Sequence, residues 1–288
     1  MGLRFGVLGT GYWAQEAHAT ALAGHPDTEL VGVWGRDPAK TEAFAARFGI
    51  QGHVDLDRLL AEVDAVAVAV PPDVQAELAL RAATAGRHLL LDKPLALSLD
   101  GAERVVEAVA ANRVASLVFF TLRFLPEVAA WVEETGAAGD WQGGDGGWLG
   151  TVFSEPDSPF AAAPWRRRKG ALWDLGPHML SLALPVLGPV ERVTAATGPG
   201  DTAHLILGHH GGALRIVVGA RHDLEHGGAG IRLGEHLGLE VLAVDLPRQL
   251  PGDAVKERPT ADPAGIQGEQ PGDDRVVRAE GVGVPGRR

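Results

Sequence analysis

Three residues of this sequence have types and spacing suited to acid–base chemistry: Lys93, Asp174 and His178. Asp174 and His178 are four apart and can share one face of a helix. A histidine suits a general base, a nearby aspartate can orient its ring, and a lysine ammonium can stabilise a developing alkoxide. Pro177 favours the first turn of a helix, which predicts a helix start at residues 174–176. In the alternative interpretation, Asp174 is only an N-cap.

A glycine-rich turn near the start of the chain predicts where a cofactor lies. An apolar strand at 3–9 leads into Gly9-Thr10-Gly11-Tyr12-Trp13-Ala14, and helical spacing follows. In a G-x-G-x-x-A turn the first glycine permits the tight bend, and the second lets the backbone approach a pyrophosphate. The helix start adds free N–H groups for phosphates. The predicted cofactor contacts in this turn are Gly9, Thr10, Gly11, Tyr12 and Trp13.

The end of the second predicted strand bears on the choice between NAD and NADP. A chain that binds NAD usually has an acidic residue there, which bonds the ribose 2′-hydroxyl. This sequence has Gly35 and Arg36, with Lys40 one helical turn later. Arg36 can bind a 2′-phosphate in bidentate fashion, so we predict NADP as the preferred cofactor over NAD. In the alternative, Arg36 is a solvated surface residue and Asp37 binds the ribose.

Strands and helices alternate through the first 120 residues, which predicts a parallel, doubly wound α/β sheet. Ligands of such sheets bind at the carboxyl ends of the strands. Besides the glycine turn, two segments fall at these ends and supply further predicted cofactor contacts: Val70, Pro71, Pro72, Asp92, Lys93 and Pro94. Lys93 could polarise or protonate a substrate oxygen there. Alternatively, it is a surface lysine paired with Asp92.

Composition narrows the function classes. The 288 residues carry a formal net charge of −11, which disfavours a nucleic-acid partner held by general electrostatics. The sequence contains no cysteine, which excludes disulfides and thiolate chemistry and is consistent with a cytoplasmic location. No apolar run reaches the roughly 18 residues of a membrane span. Scattered histidines after residue 203 lack the spacing of a metal site, so no metal is predicted.

The chain resembles the Gfo/Idh/MocA oxidoreductases, the relatives of glucose–fructose oxidoreductase and inositol dehydrogenase. Five segments match in the family's order: GTGYWA (9–14), VPPDVQAELALRAATAGRHLLLDKPLA (70–96), LRFLPEV (122–128), WR (165–166) and WDLGPHML (173–180). The Asp-Lys-Pro element, Glu-Lys-Pro in most members, is the most specific match together with D-x-G-x-H. Two positions depart from the family pattern, since Gln75 replaces a histidine and Ser181 replaces an aspartate.

The resemblance implies a Rossmann domain at 1–121 and a second α/β domain at 122–288, built on a large, open, mainly antiparallel sheet that could mediate a homo-oligomer. It implies hydride transfer to or from a sugar-, cyclitol- or polyol-like small molecule. The implied catalytic residues are Lys93, Asp174 and His178. Arg123, Trp165 and Arg166 join them as substrate contacts, and Gln75 and Arg123 are added to the cofactor contacts. A non-catalytic NADP(H)-binding sensor, or a reductase of a dihydrodiol or tetrapyrrole, remains an alternative.

Local patterns in the second half predict a helix at 125–137, a glycine-rich turn at 140–148, a strand at 148–155 and a loop at 154–170. Residues 227–288 contain 12 glycines and 6 prolines. This proportion is typical of low-complexity or disordered chain. The hypothesis for this tail is therefore a degenerate, truncated or frame-shifted segment.

Overall fold

Six parallel strands form the first sheet of the protein, in the order β3-β2-β1-β4-β5-β6. The computed structural model describes residues 2–139, 141–150, 163–199 and 201–220, and the strands at 228–234 and 239–244. The strands of this sheet are β1 (Leu3–Leu8), β2 (Thr28–Trp34), β3 (Gln51–His53), β4 (Ala65–Val68), β5 (His88–Asp92) and β6 (Ser116–Phe119). The predicted doubly wound Rossmann sheet is confirmed.

Helices cover both faces of this sheet because its central strands alternate apolar residues between the two faces. The helical segments are π-helical turns at Ala14–Ala19, α1 (Thr20–Gly24), α2 (Pro38–Phe48), α3 (Leu56–Glu62), α4 (Pro72–Thr84) and α5 (Leu99–Asn112). In β4, Val66 and Val68 pack against α3, α4 and α5. Ala67 packs on the opposite side, with Ala14 and Phe44. Every residue of β4 is fully buried, which makes it the centre of the domain core.

The second half forms a mixed six-stranded sheet in the order β12-β11-β7-β10-β9-β8. Its elements are a 3₁₀ turn (Thr121–Phe124), α6 (Pro126–Ala138), β7 (Gly143–Gly150), α7 (Pro164–Leu187), β8 (Arg192–Gly198), β9 (Thr202–His209), β10 (Gly212–Ala220), β11 (Gly228–Gly234) and β12 (Leu239–Val244). All neighbouring strands pair antiparallel except β7 and β10. The predicted mainly antiparallel sheet is therefore confirmed, as is the helix near 125–137.

Helix α7 packs on one face of the second sheet and builds its core. Leu175, Met179 and Leu182 from α7 pack in one cluster with Leu214 and Ile216 from β10. Along β9, alternate residues are buried and exposed, and Ile206 is 51% exposed. The sheet is thus covered on one side and open on the other along β9. Both sheets belong to one compact unit, Met1–Pro251. The boundary between residues 121 and 122 stays a prediction.

Two predictions for the second half are wrong. The glycine-rich segment is strand β7, which pairs with β10 on one side and β11 on the other. Backbone hydrogen bonds on both edges compensate the poor strand propensity of glycine, and this compensation comes from residues distant in the sequence. Residues 164–169 begin helix α7 and are not a loop. Residues 151–162, which include the rest of the predicted strand and most of the predicted loop, lie outside the described residues.

The start of the helix that carries Asp174 and His178 also differs from the prediction. Gly170 has a left-handed φ of 73° and interrupts α7, and the helix resumes at Ala171. The carboxylate of Asp201 accepts a hydrogen bond from the Ala171 N–H at 2.7 Å and caps this second part. Pro177 therefore lies inside the helix, and the cap comes from a residue 30 positions later in the chain.

The tail hypothesis is tested by the structure only in part. Two antiparallel strands, β11 and β12, lie within residues 227–244. Residues 245–288 lie outside the described residues. Among the described residues, no helix combines the length and the apolar character that a membrane span requires.

Candidate active site

The carboxyl ends of β1, β4 and β5 lie at one edge of the first sheet. Strand β1 lies between β2 and β4, so the chain reverses its winding direction at β1. Open α/β sheets bind ligands at this reversal point. The glycine turn, the segment from Val70 to Pro72, and the segment from Asp92 to Pro94 all follow these strand ends. The three predicted cofactor segments therefore lie at the same edge.

The glycine turn has the backbone geometry that its sequence predicts. Gly9 has φ of 123°, and a Cβ there would collide with the carbonyl oxygen of Ala69. A Cβ at Gly11 would meet no described atom within 4 Å, so the backbone is open on that side. Gly35 packs under the turn, because a Cβ there would lie 2.7 Å from Thr10 Cγ2. A side chain at Gly9 would therefore disrupt the turn itself. A side chain at Gly11 would leave the turn intact and only fill the open space beside it.

The residues predicted to distinguish NADP from NAD lie at the carboxyl end of β2. Arg36 and Lys40 are both exposed. The Asp37 carboxylate caps α2 and accepts hydrogen bonds from the N–H groups of Ala39 at 3.0 Å and Lys40 at 3.2 Å. In the alternative interpretation Asp37 binds the ribose, but one of its carboxylate oxygens already binds the helix.

Lys93 contacts Asp174 across the two halves of the chain. Its Nζ donates to Asp174 Oδ1 at 2.6 Å and to the Asp174 carbonyl oxygen at 2.7 Å. The other carboxylate oxygen accepts from Arg166 Nε at 2.8 Å. The side chains of Lys93, Asp174 and Arg166 are 14%, 11% and 17% exposed. The alternative in which Lys93 is a surface residue paired with Asp92 is wrong.

Burial and neighbouring charges shift the titration of this cluster. Burial lowers the pKa of Lys93, and the adjacent Asp174 only partly opposes that shift. Burial would raise the pKa of Asp174, but the positive charges of Lys93 and Arg166 outweigh it and lower this pKa to about 2. Asp174 is therefore a carboxylate at neutral pH, held between two cationic groups.

His178 is buried close to this cluster but lacks a carboxylate partner among the described hydrogen bonds. Its ring packs against Trp148 with centroids 5.0 Å apart, and its buried Nδ1 has no hydrogen-bond partner within the described part of the protein. Burial and the charge of Lys93 lower its pKa to about 3, so the ring is neutral at pH 7. Among the described hydrogen bonds none joins Asp174 to the ring, and the role of Asp174 in orienting it stays a prediction.

The backbone that carries Lys93 is held by Gln75. This side chain is 1% exposed, and its Nε2 donates to the carbonyl oxygens of Asp92, Pro94 and Leu95 at 2.6, 3.1 and 3.3 Å. Its Oε1 accepts from the Asp92 N–H at 3.1 Å. The amide of Gln75 is thus bonded to protein backbone, and this residue supports the loop from beneath. The Lys93–Pro94 peptide bond is cis.

The remaining predicted contacts fall into two groups. Tyr12 is 42% exposed beside the glycine turn, and Trp165 is buried, with the Arg166 guanidinium 4.7 Å from its ring centroid. Arg123, by contrast, lines a separate groove of about 390 Å³ between α6 and the end of α7. No described hydrogen bond or ion pair joins Arg123 to Lys93 or Asp174.

Sequence reasoning missed His18, which lies on the π-helical turns after the glycine turn. Its Nε2 is 2.9 Å from Asp92 Oδ1, and the Trp13 indole N–H donates to the same oxygen at 3.2 Å. The side chain of His18 is only 2% exposed. The available signal was a histidine four residues after Ala14, which places it on the buried face of the same helix.

Comparisons with known proteins bear on the family and the fold of this chain. Residues 3–120 match the family model of the Gfo/Idh/MocA proteins, which is described as an oxidoreductase family with an NAD-binding Rossmann fold. A dTDP-3,4-didehydro-2,6-dideoxy-α-D-glucose 3-reductase from Streptomyces antibioticus is 33% identical over 236 residues, which cover 76% of this chain and 70% of that enzyme. The chain belongs to the Gfo/Idh/MocA family of oxidoreductases.

Two further proteins are similar to this chain. An inositol 2-dehydrogenase from Rhizobium meliloti is 27% identical over 235 residues, which cover 77% of this chain and 69% of that protein. The crystal structure of the WlbA dehydrogenase from Bordetella pertussis, in complex with NADH and UDP-GlcNAcA, superposes with a TM-score of 0.75 at 24% identity. That match covers 90% of this Gfo/Idh/MocA chain and 83% of WlbA, and it supports the fold assignment.

Proposed function

We propose that this protein transfers hydride between NADP(H) and a secondary alcohol or carbonyl carbon of a sugar-, cyclitol- or polyol-like substrate. The buried contact between Lys93 and Asp174, at the strand ends of a dinucleotide-binding sheet, is the observation that carries the proposal. The names of two relatives, an inositol dehydrogenase and a dTDP-sugar reductase, support the substrate class.

The residues of the glycine turn fit a dinucleotide. The open side of Gly11 is the space that a pyrophosphate would occupy, and a Cβ there would fill part of it. A bound nicotinamide would accept or supply the hydride, which is the only redox chemistry the reaction needs. The chain itself must bind the substrate, orient its hydroxyl and move one proton.

Lys93 is positioned to bind the substrate oxygen. Its ammonium is buried and fixed by two hydrogen bonds to Asp174, so its charge is directed with little freedom. A buried cation stabilises an alkoxide more strongly than a solvated one does, because little water screens it. Asp174 keeps Lys93 in place and offsets part of the positive charge that Lys93 and Arg166 bring together.

His178 is the proposed proton acceptor for alcohol oxidation. It is neutral at pH 7 and therefore in the form that takes a hydroxyl proton. The hydroxyl proton moves to the imidazole as the hydride leaves the same carbon, and the reverse transfers reduce a carbonyl. Burial and the charge of Lys93 disfavour the imidazolium, so His178 returns the proton readily to solvent.

The activity is tested by following NADPH formation with a panel of inositols, sugars and sugar nucleotides. Lys93→Met and His178→Ala should each lose most turnover, on the order of 100-fold or more, while NADPH binding persists. Lys169→Met is the matched control, because Lys169 lies over the Trp173 ring and outside the Asp174 cluster. Tight NADPH binding without turnover on any substrate would instead support a non-catalytic sensor.

The preference for NADP forms part of the same proposal. Arg36 and Lys40 are exposed where a 2′-phosphate would lie, and one Asp37 oxygen is used in capping α2. Replacing Arg36 by alanine should raise the KM for NADP roughly 10-fold and leave the KM for NAD nearly constant. A lower KM for NAD than for NADP in the wild-type protein would refute this preference.

A homo-oligomer through the second sheet is also proposed. In the described strands its open face carries the apolar side chains of Ile206, which is 51% exposed, and Val217, which is partly exposed. A second copy of the chain would cover such a face. Light scattering of the purified protein should give more than one subunit mass, and Ile206→Glu should reduce it. A monomer at micromolar concentration would contradict this part of the proposal.

A further inference from the structure

The side chain of Asp92 faces away from the Lys93–Asp174 contact. It points towards the helical segment after the glycine turn, residues 12–24, which we call the cofactor helix. Asp92 Oδ1 is 2.9 Å from His18 Nε2 and 3.2 Å from Trp13 Nε1. A carboxylate only accepts hydrogen bonds, so both nitrogens donate, which fixes the hydrogen of His18 on Nε2. One oxygen atom thus joins the helix after the glycine turn to the residue that precedes the catalytic lysine.

The π-helical turns are what allow both donors to reach one oxygen. Trp13 and His18 are five residues apart, and in a regular α-helix that spacing turns side chains about 140° away from each other. The segment from Ala14 to Ala19 is π-helical, and hydrogen bonds from residue i to i+5 bring residues five apart closer to one face. Single π-helical turns within α-helices often mark functional sites.

The surroundings make this connection stiff. The His18 side chain is 2% exposed and lies against Phe119, with ring centroids 5.8 Å apart. Loss of its partner would leave a buried polar atom without a hydrogen bond, which is costly. From the other side, Gln75 bonds the carbonyls of Asp92, Pro94 and Leu95. The segment that carries Lys93 is therefore fixed both by α4 and by the cofactor helix.

We propose that Trp13 and His18 are positioning residues for Lys93, acting through Asp92. The inference rests on the proposed function, because it assumes that Lys93 binds the substrate oxygen. The distance between the cofactor-binding turn and Lys93 is then fixed. A bound substrate can therefore place its oxygen at the ammonium and its reacting carbon beside the nicotinamide at the same time. A displacement of about 1 Å in such an arrangement can lower the rate about 100-fold.

The first experiment measures kcat and KM for His18→Leu. We expect a 10- to 100-fold loss in kcat with less than a threefold change in the KM for the cofactor. His18→Gln can still donate from a nitrogen at similar reach, and it should recover most of the lost kcat. His53→Leu is the matched control, since His53 is a buried histidine of the same domain, on β3, away from Lys93. Its kcat should stay within twofold of wild type.

The second experiment does not depend on activity. Hydrogen exchange of a peptide covering residues 88–96, measured by mass spectrometry, should be at least fivefold faster in His18→Leu than in wild type or His53→Leu. Trp13→Phe, which keeps an aromatic ring but no donor, should give a smaller acceleration and serves if His18→Leu does not fold. Exchange at wild-type rates in both variants, or equal kcat in His18→Leu and His53→Leu, overturns the proposal.

The catalytic role of Lys93 and the positioning role of His18 can be refuted separately. Full turnover in Lys93→Met removes the proposed function and the positioning role with it. An inactive Lys93→Met together with a fully active His18→Leu removes only the positioning role.

Discussion

Asp92 directly precedes Lys93 in the chain and Asp174 follows it by 81 residues, yet among the described hydrogen bonds only Asp174 binds the lysine. Successive side chains of a strand point to opposite faces, so Asp92 at the end of β5 is directed away from Lys93. The Asp92 carboxylate accepts from an imidazole and an indole. The Asp174 carboxylate is bonded by an ammonium and a guanidinium.

The two carboxylates differ in what they provide. Asp174 provides a negative charge, whereas Asp92 provides a hydrogen-bond acceptor. Asp174 lowers the repulsion between two buried cationic groups, so its own negative charge matters. Asp92 is bonded by an imidazole and an indole and not by two cationic side chains, so its accepting oxygen matters more than its charge. The comparison teaches that an acidic residue next to a lysine in sequence can bind other side chains, while the electrostatic partner of the lysine comes from a distant part of the chain.

Replacing each aspartate by asparagine tests this comparison, and we expect these variants to show the largest change in the free energy of unfolding. Asp174→Asn removes the buried negative charge that binds both Lys93 and Arg166, so we expect a loss of about 3 to 5 kcal/mol in the free energy of unfolding. Asp92→Asn keeps an accepting oxygen and should lose only about 1 to 2 kcal/mol. Urea denaturation at pH 7 measures both. Equal losses would show that charge matters equally at the two sites.

The pH dependence of stability sharpens the comparison at His178, which has no carboxylate partner among the described hydrogen bonds, whereas His18 has one. The unfolded chain binds a proton at this histidine below about pH 6.5, whereas the folded chain does so only near pH 3. Acid therefore favours the unfolded state between these values. At pH 5 the wild type should lose about 2 kcal/mol relative to pH 8, a loss that His178→Asn should lack.

Denaturant curves at several pH values check this expectation. His210→Asn is the control, because the His210 side chain is 97% exposed and gains no burial on folding. If His178→Asn followed the wild-type pH profile, the ring would be protonated in the folded state and the described site would need a counter-charge.

The smallest effect is expected at the indole that binds Asp92. Trp13→Phe removes one donor and should lower the free energy of unfolding by about 1 kcal/mol, while Asp92 keeps its bond to His18. Trp34→Phe removes an indole hydrogen bond of the same length, 3.2 Å, to the exposed carbonyl of Val54. Its loss should be smaller, because water can replace the indole. Thermal unfolding of the two variants compares their stabilities directly. A larger loss of stability in Trp34→Phe than in Trp13→Phe would show that the Asp92 contact is no better shielded from water than the Val54 contact.

The first sheet could be predicted from sequence because its signals are local. Strands β1, β2, β4 and β5 are short apolar runs closed by glycine, proline or a charged residue, and the glycine turn identifies the ligand edge. The two edge strands, β3 and β6, are not among the predicted strands. The second sheet offered weaker signals. Strand β7 contains five glycines in eight residues, and its strand state depends on β10 and β11, which lie more than 60 residues later.

The sequence by itself determined the family, the Rossmann turn and the residue types of the candidate site, because these depend on spacing within short segments. The tertiary structure alone decided which charges meet. It paired Asp174 with both Lys93 and Arg166, packed the His178 ring against Trp148, and placed His18 within hydrogen-bond distance of Asp92. Such pairings follow from how β5, α7 and the cofactor helix pack, and no local pattern encodes the distance between side chains 81 residues apart.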